Sequence, residues 1–372
     1  MRITDIEGII LRLPQVREIG DNCQTVLLIL VHTDEGITGI GEAHTSPLVS
    51  KAILDAPLGS NSSCGLRELL VGEDPRDINR LYDLMYRRTI AFGRRGAAIH
   101  AISGIEIALW DILGKSTGQP IHRLLGGARQ PAFRAYASFL APATIGEAAR
   151  LAEQQAARGF KAVKLGWGNL GADPKQDVAM VGEVRRALGA EIDIMLDMGF
   201  PVSLSQALHL GRALADHGVY FLEEPLSPDD IRGYSRLTSV SPTPIATGEK
   251  ESSQSSFIDL MDHGGLSIIQ PDVARVGGIG ETIRIANHAA ARGVTVIPHC
   301  WSTDILVAAT LHVMATLHDC PYLELNVTDN PLRTDLTIEP IRAVDGIVRV
   351  PDAPGLGIEL NPETIARYRQ DA

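Results

Sequence analysis

From about residue 133 onward the chain repeats one pattern: a short apolar run, a polar turn, an amphipathic stretch, a glycine, then another apolar run. The runs predict strands over Ala135–Leu140, Ala162–Trp167, Asp193–Met198, Phe221–Pro225, Ile245–Glu249, Ser267–Asp272, Thr295–His299 and Tyr322–Asn326. Their successive starts lie between 22 and 31 residues apart. Helix signals fall in between. Thr144 with Glu147 and Ser203 with Gln206 read as capping boxes, and Gly159, Gly218 and Gly293 stand where left-handed caps end helices. Eight strands alternating with helices predict parallel pairing and a closed β/α barrel. The alternative, an open doubly wound sheet, usually has fewer strands and a glycine fingerprint after its first.

The first stretch of the chain has a different rhythm. Ile3–Leu13 and Thr25–His32 predict strands, Thr33–Gly36 a hairpin turn, and Ile37–Gly41 a return strand. Two helices follow, over Pro75–Tyr86 and Ala97–Thr117. The second carries Ile102, Ile105, Leu109 and Ile112 at helical spacing, which predicts one buried face. An α+β domain over 1–127 therefore precedes a barrel over 128–340. The turn-rich segment 341–372, with Gly346 to Gly357, is expected to pack back on the first domain.

Composition narrows the class. With 372 residues, 45% of them hydrophobic, the chain can bury a large core, and disorder is excluded. Its 34 basic and 45 acidic residues give a net charge of −11, a surface that repels phosphate backbones and anionic membranes. Neither nucleic acid nor a membrane is an expected partner. Cys23, Cys64, Cys300 and Cys320 show no metal-ligand spacing, and Met1–Asp5 has no secretory apolar core. The expectation is a soluble cytoplasmic protein.

Barrel chemistry sits at the C-terminal ends of strands. Asp197 closes the third strand, Glu223 lies on the fourth and Glu249 closes the fifth. Twenty-six residues separate each from the next, one strand–helix unit each time. Three carboxylates on neighbouring strands at one rim repel one another unless a cation sits among them. All-oxygen ligation selects a hard divalent ion, Mg²⁺ first and Mn²⁺ next. The competing account pairs each acid with a neighbouring Arg or Lys. The sixth strand ends at Asp272 and the seventh at His299, again one unit apart, so a carboxylate should stand behind an imidazole and raise its basicity. Alternation along Phe160–Gly166 turns Lys164 into the barrel mouth and Lys161 to solvent. Glu324 on the eighth strand can complete the ring, as an acid or a hydrogen-bond acceptor.

Together these residues resemble the enolase superfamily, in its mandelate racemase-like branch. The resemblance spans the chain: Arg95–Gly104, Ala108–Lys115, Leu124–Gly127, the acids at 197, 223 and 249, the Asp272/His299 pair, and Pro351–Gly357. It implies a capping domain, completed by the C-terminal segment, on a modified (β/α)7β barrel of the TIM type. Loops around Arg17–Gln24 and His44–Val49 would close over the mouth and choose the substrate. Asp197, Glu223 and Glu249 would bind Mg²⁺, which would chelate a substrate carboxylate and stabilise the enediolate left when its α-proton departs. A homo-oligomer is implied as well.

The chain departs from that pattern at two positions. Members commonly carry Lys-x-Lys where this chain has Lys164-Leu-Gly166, and an asparagine where it has Gly199. An acid–base group opposite His299 is thus missing, unless Tyr, water or Cys23 of the capping loop stands in. One-base chemistry follows: His299 takes the α-proton and returns it to a departing β-hydroxyl, turning a sugar acid into a 2-keto-3-deoxy acid. A lactone cycloisomerase or epimerase working through the same enediolate is the runner-up, and Val296–Trp301 resembles the cycloisomerases. A glycoside hydrolase would leave the third acid and the dyad unexplained. A barrel without catalysis would have no reason to keep them. Trp167 and Trp301, just past strand ends, are expected at the cavity wall. Gly277–Gly280 reads as a turn rather than a phosphate loop, and Arg94–Arg95 as structural.

Overall fold

The computed structural model describes residues 1–16, 22–59 and 64–370. Arg17 to Asp21, part of the expected closing loop, lie outside the described residues. The N-terminal part is an antiparallel sheet of β1 (Ile3–Arg12), β2 (Thr25–Thr33) and β3 (Thr38–Ala43), in that order. Gly36, at φ 78°, makes the hairpin turn. Helices α1 (Pro47–Asp55), α2 (Leu66–Leu70), α3 (Ile78–Gly93) and α4 (Ala97–Thr117) follow. Neither α1 nor α2 was legible in the sequence, and α3 runs a turn and more beyond the expected Tyr86 because Thr89 and Gly93 are buried on its far end.

Helix α4 differs from the expected half-buried helix: it is buried almost all round. Ile102, Ile105, Leu109 and Ile112 do face the N-terminal core. The opposite side carries Glu106 and Ile107 against the barrel. Helix and sheet approach closely because β3 presents glycines; a Cβ on Gly41 would stand 1.8 Å from the Gly104 carbonyl. An apolar helix of this length reads as a core element, sandwiched between two layers.

The barrel strands are β4 (Ala132–Leu140), β5 (Ala162–Gly166), β6 (Asp193–Asp197), β7 (Val219–Glu223), β8 (Ile245–Thr247), β9 (Ile268–Ile269), β10 (Thr295–Val296) and β11 (Leu323–Asn326). They form one parallel sheet in the order β10-β9-β8-β7-β6-β5-β4-β11. Its curl is visible in the interior: Tyr136, Ala162, Met195, Phe221, Ala246, Ile268, Ile297 and Tyr322, one from each strand or its immediate flank, pack as a single apolar ring. This is the expected modified barrel. Its last strands are shorter than the apolar runs suggested, so Asp272 and His299 stand on loops just past β9 and β10. Ser203 and Gln206 make both halves of a capping box, whereas Thr144 accepts from the Glu147 N–H without the reciprocal bond. Strand β12 (Ile347–Arg349) pairs antiparallel with β4, and bridges Pro120–Gly355 and Leu11–Arg369 tie the chain end to the N-terminal layer.

Two buried carboxylates fasten the N-terminal layer to the barrel. Glu106 accepts the backbone N–H of Ile279 and Gly280, at the start of the helix Ile279–Ala290. The turn Gly277–Gly280 is thereby occupied by protein. Glu42 accepts the hydroxyls of Ser302 and Thr303. Burial pushes Glu42 up from 4.5 to about 7, against the two hydroxyl bonds. The folded chain therefore holds a proton there that the unfolded chain releases, and this stabilisation is lost as pH rises from 4.5 through about 7. Across that window the gap in unfolding free energy between Glu42→Gln and wild type should shift toward the variant by up to about 3 kcal/mol. Denaturant titrations at a series of pH values check this; a constant gap would show that Glu42 is ionised throughout.

Candidate active site

The apolar ring defines the site above it. Because side chains alternate along a strand, the residue two places beyond each ring member faces the same interior. Those residues are Ser138, Lys164, Asp197, Glu223, Gln270, His299 and Glu324, with Gly248 on β8. On β8 the alternation breaks. Gly248 has φ 136°, a conformation side chains rarely adopt, and the next residue, Glu249, joins the same cluster.

Asp197, Glu223 and Glu249 are 3%, 0% and 3% exposed, and each offers an oxygen within 4.8 Å of the others. Glu223 Oε1 is buried with no partner. Burial, and then the other carboxylates, push Glu223 well above the ordinary range despite Lys164. Asp197 is raised to about 7 by burial, with Lys164 opposing and Glu249 adding. An orphaned carboxylate oxygen facing two further buried acids is an all-oxygen donor set suited to a hard divalent cation, and these residues could hold one. The adjacent Glu224 belongs elsewhere: it accepts Thr247, the Gly248 N–H and Lys250.

Lys164 is buried in the same mouth. Its Nζ lies 2.7 Å from Glu223 Oε2, 2.7 Å from Glu324 Oε1 and 3.8 Å from Asp197 Oδ2. Burial works against its charge, but Glu223 and Glu324 outweigh it and hold the ammonium protonated. Glu324 accepts Ser138 as well through Oε1, and the Cys300 N–H through Oε2. With both oxygens accepting, and Lys164 and His299 lowering its pKa against burial, it stands as a carboxylate rather than an acid.

His299 Nδ1 is 2.7 Å from Asp272 Oδ2, and its Nε2 is 3.1 Å from Glu249 Oε2. Burial alone would lower this imidazole; Glu249, Glu324 and Asp272 raise it to about 9. Two partners escaped the sequence reading. His44, from the loop after β3, also bonds Asp272 Oδ2, at 2.8 Å. Arg275 reaches the His44 carbonyl, the Glu249 carbonyl and His44 Nε2. The loop His44–Val49 is one of the two loops expected to close over the mouth, which is the available signal for His44. Arg275, three residues beyond Asp272, carried none that strand alternation could expose.

His44, Ser138, Lys164, Asp197, Glu249, Arg275, His299 and Glu324 line a cavity of about 100 Å³, whose remaining walls are Phe139, Leu140, Gly166, Trp167 and Trp301. Both tryptophans thus line it. A Cβ on Gly166 would meet Asp197 Oδ2 at 3.0 Å, and one on Gly199, at φ 63°, would strike the Trp167 ring at 2.7 Å. Trp167 thus occupies the space that a side chain at position 199 would need. Cys23 does not line the cavity: its Sγ is buried, 2.9 Å from the Asn330 side-chain amide. It is not a replacement for the missing lysine.

A capped β/α barrel with three carboxylates on successive strands, a lysine before them and a His–Asp pair after them defines the class. Residues 15–126 match the mandelate racemase / muconate lactonizing enzyme N-terminal domain, and residues 147–364 match the enolase C-terminal domain-like family. The chain belongs to the enolase superfamily, in the mandelate racemase / muconate lactonizing enzyme branch. It is 33% identical over 356 residues to a D-galactarolactone cycloisomerase of Agrobacterium fabrum, covering 92% of this chain and 91% of that protein. It is 32% identical over 358 residues to an arabinonate dehydratase of Saccharolobus solfataricus, covering 95% and 93%. A solved 3,6-anhydro-D-galactonate cycloisomerase from Zobellia galactanivorans superposes with a TM-score of 0.90 at 31% identity, covering 100% of both chains.

Proposed function

We propose that this protein removes the proton α to the carboxylate of a sugar acid and then eliminates the β-hydroxyl as water, giving a 2-keto-3-deoxy acid. Asp197, Glu223 and Glu249 would hold Mg²⁺, or second Mn²⁺, which when bound supplies positive charge against the enediolate that forms as the α-proton leaves. Lys164 adds a fixed ammonium to the same face of the cavity. Glu249 is the largest influence raising His299 to about 9, and a cation held by Glu249 would take up that charge and free Nε2 of its proton. His299, with Nδ1 bound to Asp272, would then accept the α-proton at Nε2 and, as imidazolium, return it to the departing hydroxyl. The resulting enol takes a solvent proton at C3. Gly166 leaves no second lysine on the opposite wall, which supports chemistry by one base on one face.

The observation that carries this reading is that the imidazole Nε2 sits 3.1 Å from a carboxylate of the candidate metal set, so base and cation would address one substrate carbon. Sugar mono- and diacids and their lactones, incubated with protein and Mg²⁺ in D₂O, test it by proton NMR. Dehydration is expected to remove the α-proton signal and produce a singly deuterated C3 methylene. No change with any acid or lactone would reject the reading.

A second reading has its own support. Beyond the charged groups, His44 and Ser138, the cavity walls are Phe139, Leu140, Gly166, Trp167 and Trp301, a surface suited to the C–H face of a compact ring. Two of the relatives above are cycloisomerases. A lactone disappearing into a deuterated open-chain acid would put cycloisomerisation first, and α-exchange alone would indicate epimerisation.

Division into a capping part over 1–127, a barrel over 128–340 and a closing segment over 341–372 belongs to the same reading. So do a homo-oligomeric state and a cytoplasmic location, argued from the family resemblance, the net charge of −11 and the sparse cysteines. The expected partner is a small carboxylate, with no role for nucleic acid or membrane.

A further inference from the structure

We infer that His44, contributed by the N-terminal layer, is a positioning residue that sets the Asp272 carboxylate on which His299 depends. The inference rests on the reading of His299 as the base. Asp272 is fully buried, and both of its oxygens are engaged. Oδ1 accepts the Ala274 N–H at 2.8 Å. Oδ2 is shared by His299 Nδ1 at 2.7 Å and His44 Nδ1 at 2.8 Å.

The tautomer of His44 follows from its other neighbour. Arg275 Nη2 lies 3.2 Å from His44 Nε2, and a guanidinium can only donate. Nε2 must therefore accept, and the ring proton sits on Nδ1, directed at Asp272. Arg275 also donates from Nε to the His44 carbonyl at 3.1 Å and from Nη1 to the Glu249 carbonyl at 2.9 Å, clamping the loop as well as the ring. The result is a directed chain in which Arg275 donates to His44 and His44 to Asp272, while Asp272 receives His299. With two imidazoles on one oxygen and a backbone N–H on the other, the carboxylate cannot turn away from His299.

Although His44 lines the cavity, both of its ring nitrogens are already committed, so it has no donor to offer a substrate. Its loss should therefore appear in turnover and not in substrate affinity. Because it comes from the loop after β3, the base acquires its orientation only where the N-terminal layer is docked on the barrel.

The test compares His44→Leu and His44→Asn. Asparagine keeps a side-chain N–H close to the position of Nδ1; leucine keeps bulk alone. His44→Leu should lower kcat by about 10- to 100-fold with KM little changed, and α-proton exchange should fall in parallel. His44→Asn should recover most of that loss. A rise in KM at constant kcat would make His44 a substrate contact and overturn the inference, as would an equal loss in both variants. A second measurement depends on neither the variants' folding nor the reaction. In Mg²⁺-loaded wild type labelled with [¹⁵N]histidine, the ring-nitrogen shifts of His44 should show a protonated Nδ1 and a bare Nε2. The opposite tautomer would overturn the inference. A wild type that exchanges no α-proton would reject the functional reading instead, and the nitrogen shifts alone would then decide the placement of His44.

Discussion

His299→Asn is expected to slow exchange of the substrate α-proton with solvent by about 10²- to 10⁴-fold, the range over which a positioned general base acts. Asparagine can still present an N–H near Asp272, but nothing on it reaches the place of Nε2 or accepts a proton. Asp197, Glu223 and Glu249 are untouched, so metal content and substrate binding should persist. The measurement is the rate of α-deuteration in D₂O, read by proton NMR together with metal content. Exchange at the wild-type rate would remove His299 from the scheme. Lys164 is a poor understudy, because Glu223 and Glu324 keep its ammonium protonated.

The second large effect concerns Lys164→Met. In the protein without added divalent ion, that substitution leaves Asp197, Glu223 and Glu324 buried without the ammonium that lies within 2.7 to 3.8 Å of each. Removing one partner of a buried ionic cluster costs about 3–5 kcal/mol, so the chelated variant should unfold at markedly lower denaturant. Adding Mg²⁺ should then stabilise the variant more than it stabilises wild type, because the ion takes over charge that the lysine had supplied. Turnover should still fall by about 10²- to 10³-fold, the usual loss on removing one preorganised charge from a developing oxyanion. Unfolding curves with and without Mg²⁺, beside kcat/KM, check both parts. Unchanged stability after chelation would mean that the carboxylates are neutral or further apart than the distances above.

Much of the site could be read from the chain because it repeats. A parallel strand alternates faces at every residue, and a strand–helix unit recurs at a nearly constant length. Those two periods are enough to bring Asp197 and Glu223 to one rim, to set Glu249 one unit further on, and to turn Lys164 inward. They also make Asp272 and His299 neighbours. The same regularity accounts for what went astray: β9 and β10 end early, and α4 is buried on two sides where periodicity suggested one.

The remainder required the folded molecule. Glu249 joins the cluster only through the unusual backbone of Gly248, a local irregularity that alternation does not anticipate. Trp167 over Gly199 could not be seen in either residue alone. His44 and Asp272 lie 228 residues apart, and their hydrogen bond exists only because one layer docks on another through Glu42 and Glu106. Period and chemistry are local properties, set by each residue and its near neighbours, and so they survive in the bare sequence. Which imidazole shares which carboxylate depends on contacts between distant segments, and that was settled by packing.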